Sequence, residues 1–214
     1  MKIKLITTLL LISINFIFSQ EKIIRLNGNE TLTINNPENG KIENGIYSCN
    51  RFVWKIKIPQ SYTVLDTKEL EELENKGNAE IKKRNEKAKI QNSTHLIGFT
   101  DSKNSFTSSF NPLDGVKKIT IEEHKKLTIE NLKQVFSTIK NAKFEFTTSE
   151  IKIGKYQFYK IKVEGFNVSN NLLVFTQIYY NSFISDHLFS ALIGFSDRNQ
   201  GLLLENNFLS SMDK

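Results

Sequence analysis

Residues 143–196 read KFEFTTSEIKIGKYQFYKIKVEGFNVSNNLLVFTQIYYNSFISDHLFSALIGFS, and this stretch decides the fold. Gly154-Lys155, Asn170-Asn171 and Asn181-Ser182 are residue pairs suited to chain reversal. They divide the stretch into four runs, 143–153, 156–166, 171–180 and 184–196, each rich in the β-branched and aromatic residues of strands. The run 156–166 alternates. Gln157, Tyr159, Ile161 and Val163 fall on one side, and Lys160, Lys162 and Glu164 on the other, so that strand has one covered face. The next two runs are apolar on both sides. Leu172, Val174 and Ile178 oppose Leu173, Phe175 and Tyr179, and Phe189, Ala191, Ile193 and Phe195 oppose Ile184, Leu188 and Leu192. Such strands are central and covered on both faces. Tight reversals make the meander antiparallel.

Working outward, Ser196 is placed as the cap of a closing helix with Leu202 to Leu204, Phe208, Leu209 and Met212 available to pack. Upstream, Thr120-Ile121-Glu122-Glu123 is a capping box. Ile121, His124, Thr128, Leu132, Val135 and Ile139 follow it at helical spacing. Strands are expected at 94–101 and 104–110. A helix is expected at 66–89, started by Asp66 with Glu69 three residues on and with Gly77 as a candidate break. Its apolar stripe (Leu70, Leu73, Ile81) is thin, which implies a helix lying mostly in solvent. Residues 46–58 read as one strand, with Phe52, Trp54, Ile56 and Ile58 facing one way and Lys55 and Lys57 the other. Residues 35–45 (NNPENGKIENG) read as loop. Residues 22–34 read as a small hairpin over Asn27-Gly28. The fold class is α+β, an antiparallel meander with helices on both faces.

The first 20 residues, MKIKLITTLLLISINFIFSQ, have a short basic start and an apolar run too short for the ~20 residues of a membrane span. They read as a signal peptide cut after Ser19. The expected organisation is a leader at 1–19, a hairpin and loop at 20–45 and a single domain at 46–214. The expected localisation is exported, periplasmic or secreted, with no membrane-spanning segment after the leader.

The chain has 214 residues, 39% hydrophobic and 24% charged, with 16 Phe. That supports one sizeable core and excludes wholesale disorder. The net charge of +6 forms no dense basic stripe, which argues against a nucleic-acid partner. A single cysteine, Cys49, excludes a disulfide scaffold and a cysteine-based metal cluster. It reads as a buried small hydrophobe. No nucleophile elbow, P-loop, G-x-G-x-x-G or H-E-x-x-H motif occurs. Glu122, Glu123 and His124 cannot converge on one ion, because consecutive helical residues point roughly 100° apart. No catalytic residue, cofactor or metal ligand is therefore assigned.

Two sets of residues stand out. Lys55, Lys57, Lys160 and Lys162 would form a basic interaction patch if their strands shared a face. Their plainer role is to guard exposed strand surface against aggregation. His95 shares an alternation set with Ile97 and Phe99, and His187 shares one with Phe189 and Ala191. On adjacent strands the two histidines would meet and line a pocket.

The run Phe52-Val53-Trp54-Lys55-Ile56-Lys57-Ile58-Pro59, the helix opening at Thr120, the meander and the closing Phe208-Leu209-Ser210-Ser211 together resemble the PsbP-like fold. That fold is shared by an extrinsic photosystem protein and the DcrB-like bacterial envelope proteins. The resemblance spans about residues 46–212 and is architectural. It implies a sandwich and a binding or assembly role, and it assigns no functional residue. The expected function is that of an exported envelope module that binds an envelope protein or small ligand without catalysis. The alternatives are a hydrolase with a dispersed site, marked by a pocket joining His95 or His187 to a carboxylate, and a carrier of a small apolar ligand.

Overall fold

The computed structural model describes residues 6–7, 40–84, 90–113 and 119–212. In chain order its elements are β1 (Lys41–Glu43), β2 (Ile46–Cys49), β3 (Trp54–Lys57), β4 (Thr63–Leu65), α1 (Thr67–Arg84), β5 (Thr94–Thr100) and β6 (Asn104–Pro112). After these come α2 (Ile121–Phe136), β7 (Ala142–Ile153), β8 (Tyr156–Asn167), β9 (Leu173–Ile184), β10 (His187–Phe195) and α3 (Arg198–Leu209). A seven-stranded sheet runs β4-β5-β6-β10-β9-β8-β7, and a three-stranded sheet runs β1-β2-β3. Every neighbouring pair in both is antiparallel. A two-residue parallel pairing also joins Ile6–Thr7 to Ile90–Gln91.

The large sheet is covered on both faces, as the doubly apolar runs require. On its sandwich face the small sheet and α3 enclose Tyr47, Trp54, Phe106, Phe158, Phe189 and Phe208. Their rings meet mostly edge to face, as at Trp54–Phe189, 5.3 Å between centroids, the arrangement aromatic quadrupoles favour. On its helix face Leu132, Val135 and Phe136 of α2 pack on Tyr159, Ile161, Val163, Tyr179 and Leu192. Leu70 of α1 lies against Gly98 of β5, where any Cβ would sit 2.6 Å from the leucine. Cys49 is buried in the sandwich core.

The capping boxes expected at both helix starts are formed. Asp66 and Glu69 exchange backbone-to-carboxylate bonds of 2.8 Å. The Thr120 hydroxyl accepts from the Glu123 N–H at 3.2 Å while the Glu123 carboxylate accepts from the Thr120 N–H at 2.8 Å. Gly77 does not break α1, which is continuous over Thr67–Arg84. α1 buries a thin stripe that includes Leu70, Glu74 and Asn78, and most of its other described residues face solvent.

Several boundaries differ from the sequence reading. Residues 46–58 form two strands, not one, folded over a turn in which Val53 takes φ +50°. No Gly or Pro marks that reversal. Lys41–Glu43, expected in a loop, pair with β2 across Asn44-Gly45, both at positive φ, so the domain begins ahead of residue 46. Strand β9 runs through Asn181-Ser182 and turns at Ser185-Asp186, with Ser185 at φ +53°. The cap of α3 is Asp197, whose carboxylate accepts from the N–H groups of Asn199 and Gln200. The Ser196 N–H is instead bonded to the Lys103 carbonyl. The expected hairpin at 22–34 lies outside the described residues, as does the expected leader except for Ile6–Thr7.

Candidate functional site

The histidines fall on opposite faces of the large sheet. A bulge in β5 between His95 and Ile97 puts both Leu96 and Ile97 into the sandwich core. The extra residue reverses the alternation, so His95 leaves the face of Ile97 and Phe99 and points to the helix face. There its Nε2 lies 3.2 Å from Oε2 of the buried Glu74 on α1. His187 stays on the sandwich face, 3.3 Å from the Arg51 guanidinium and edge-on to Phe52 and Phe110. The pocket expected between the two histidines is not formed.

His95 instead opens a row of polar side chains that crosses five strands in register: His95, Ser109, Ser190, Asn181 and Tyr159. All five are buried. The Ser190 hydroxyl donates to Asn181 Oδ1 at 2.7 Å. Beyond Tyr159 the row reaches α2, where the tyrosine hydroxyl lies 2.5 Å from His124 Nδ1 and 3.2 Å from the Thr128 hydroxyl. Burial pushes the His124 imidazole down to about 4 and the Tyr159 phenol upward, so both are neutral near pH 7. A carboxylate and an imidazole therefore do meet at Glu74–His95, with Ser109 as cross-strand neighbour. Ser109 Oγ makes no hydrogen bond among the described residues, so it is not engaged by the imidazole as an activated nucleophile would be.

The four lysines do not share a surface. Lys55 and Lys57 are exposed on the outer side of the small sheet. Lys160 projects from the sandwich face to Glu205 of α3, 2.5 Å away, and lies over the Tyr180 ring. Tyr180 also donates to Glu205, and burial holds its phenol above the usual range. Lys162 pairs with Glu164 at 2.6 Å. The inner pair of lysines is thus matched by carboxylates.

Two features were not read from the sequence as sites. At one end of the large sheet Thr100, Ser105, Gly194 and Gln177 stand in one register row. They contribute to a crevice of about 240 Å³ walled by Val174, Phe175 and Phe195. Beside it, at the end of the β8–β9 hairpin, Val168, Leu172, Leu173 and Val174 are between 47 and 64% exposed. The apolar run was visible in sequence, but double-sided apolarity there signalled a central strand. In fact the strand overruns the cover of the neighbouring elements. Among the described residues no group of His, Cys, Asp and Glu is placed to hold a metal ion. No helix among them is long and apolar enough to cross a membrane.

The fold class is thus an α+β sandwich, a seven-stranded antiparallel sheet between a small sheet with one helix and a pair of helices. No protein-family model matches the chain and no curated protein matches it. Among solved structures it is similar to the solution structure of cyanobacterial PsbP (CyanoP) from Synechocystis sp. PCC 6803. The identity is 9%, over 76% of this chain and 85% of that one, with a TM-score of 0.48. The resemblance is weak and architectural.

Proposed function

We propose that the protein is an exported module of the cell envelope that binds a partner protein through the end of its β8–β9 hairpin, without catalysis. The observation that carries this is the exposed set Val168, Leu172, Leu173 and Val174, gathered on one hairpin end and continued by the Phe175 and Phe195 walls of the crevice. Large apolar side chains left exposed together at one end of a hairpin are costly to leave in water and mark interaction sites. The crevice supports a protein surface better than a carrier of small apolar ligands, since its 240 Å³ falls below the ~300–1,000 Å³ of ordinary ligand pockets. Export rests on residues 1–19, with the mature chain starting at Gln20.

A photo-crosslinking amino acid at Leu172, introduced in cells that export the protein, tests the reading. A single discrete adduct is expected, and it is lost when Leu173 and Val174 are both changed to Asp. Adducts that persist in that double variant, or none at all, contradict it. N-terminal sequencing of the exported protein should find Gln20 or a near neighbour. The Glu74–His95 pair favours hydrolysis as a second reading. Ester hydrolysis abolished by Ser109→Ala, with the fold intact, would establish that reading instead.

A further inference from the structure

The crevice at the end of the large sheet has an open, polar floor. Gly194 stands in its register row between Ser105 and Gln177. A Cβ at Gly194 would meet only the Ser105 hydroxyl oxygen within contact range, at 3.1 Å. Gln177 is 3% exposed, and its Oε1 accepts from the Tyr179 hydroxyl at 2.5 Å. Its amide nitrogen has no hydrogen-bond partner among the described residues. Thr100, at the far end of the row, is by contrast fully engaged. Its hydroxyl donates to the Asn104 carbonyl at 2.9 Å and accepts from the Ser102 N–H at 3.0 Å. Buried amides normally find partners, because leaving them unpaired costs stability. The Gln177 amide therefore points to a ligand that brings an acceptor.

The walls are aromatic and held in place. Phe175 stacks with Phe136 of α2, 6.1 Å between centroids, and packs on Phe144. α3 crosses Phe195 so closely that Gly201 has no room for a Cβ. A preformed slot loses little freedom when it is filled. Its volume of about 240 Å³ is short of an ordinary ligand pocket and suits one bulky side chain. The side chains that most often anchor protein interfaces are Trp, Tyr and Arg. Trp and Arg only donate hydrogen bonds, whereas the tyrosine hydroxyl both accepts and donates. Of the three, tyrosine alone satisfies the Gln177 amide.

We propose that the crevice is the socket for a tyrosine side chain of the partner protein. The ring lies against Phe175 and Phe195. The hydroxyl sits over Gly194, accepts from the Gln177 amide and donates to the Ser105 hydroxyl. An aromatic body with a polar tip matches apolar walls above a polar floor. The partner's part in this rests on the hairpin-end reading above, and the phenol chemistry of the socket does not. Lys103 also lines the crevice, so a carboxylate is the competing ligand.

The probes are p-cresol, toluene and p-toluate, titrated into nitrogen-15-labelled protein and followed by amide NMR shifts. p-Cresol should move the Ser105, Gln177 and Gly194 resonances saturably, with an affinity about tenfold or more above that of toluene or p-toluate. Gln177→Met removes the donor and should bring p-cresol down to the affinity of toluene, with toluene unchanged. Gly194→Val fills the floor and should abolish the binding of both. The same spectra show whether each variant is folded. Toluene binding as tightly as p-cresol, tighter binding of p-toluate, or no saturable shift at these residues overturns the proposal. In cells, Gly194→Val should also cut the yield of the Leu172 photo-adduct by about tenfold or more. An undiminished adduct in that variant overturns the socket and leaves the hairpin-end reading standing. Tight p-cresol binding by a protein that forms no adduct at Leu172 upholds the socket and sinks the hairpin-end reading alone.

Discussion

At the scale of single residues, His124 gives the sharpest expectation. It is 1% exposed and burial lowers its imidazole from 6.5 to about 4. Between those values the unfolded chain binds a proton that the folded chain does not, so stability falls as pH falls through this window. The full loss is roughly 3 kcal/mol by pH 4. Urea melts at pH 7 and pH 4.5 should show this extra acid sensitivity in the native protein and not in His124→Gln. The Glu74–His95 pair is common to both proteins, so their difference isolates His124. Trp54 gives the second expectation. It is buried against Phe106 and Phe189, and its Nε1–H donates to the Ser211 hydroxyl at 2.6 Å. Trp54→Ala should cost about 3–5 kcal/mol. Lys55→Ala, on the exposed side of the same strand, should stay within about 0.5 kcal/mol. Equal losses in denaturant melts would mean that the outer side of β3 is not open to water.

At the scale of elements, local sequence chemistry and its limits are both visible. The cap at Thr120 is formed by bonds that involve only residues three apart. Thr120→Ala should therefore cost about 0.5–2 kcal/mol in a thermal or urea melt, and Thr120→Ser should recover most of it. The β5 bulge is the opposite case. Nothing in Thr94-His95-Leu96-Ile97 announces an extra residue, and the insertion is set by the pairing of His95 with Ser109 and Ile97 with Ser108 on β6. One residue of slip moves a side chain to the other face of a sheet. That is why His95 meets Glu74 and not His187. The turn at 50–53 was equally hidden, because it reverses the chain without Gly or Pro.

At the scale of the whole molecule, both cores are built on one sheet. The sandwich core holds Trp54 and the helix-face core holds Leu132, and β7, β8, β9 and β10 contribute side chains to both. Leu132→Ala, in α2, should cost about 2–5 kcal/mol. Its effect should reach Trp54 across the sheet. Fluorescence of Trp54 and far-UV circular dichroism should shift to the same lower midpoint, as in a single cooperative transition. A fluorescence midpoint left in place would show that the two faces unfold independently.

The sequence by itself determined the meander, the three helices and two of their caps. It also marked the run 184–196 as a strand covered on both faces, which β10 is. These are properties of spacing and of neighbours within a few residues, where alternation, turn residues and capping atoms act directly. Tertiary structure alone decided the rest. It split residues 46–58 into two strands, carried Lys160 to Glu205 across 45 positions, and left the hairpin end at Leu172–Val174 uncovered. It also aligned His95, Ser109, Ser190, Asn181 and Tyr159 into one row. Strand register and the reach of covering elements are set by which surfaces pack together over the whole chain. A residue's own neighbours in sequence carry no record of that packing.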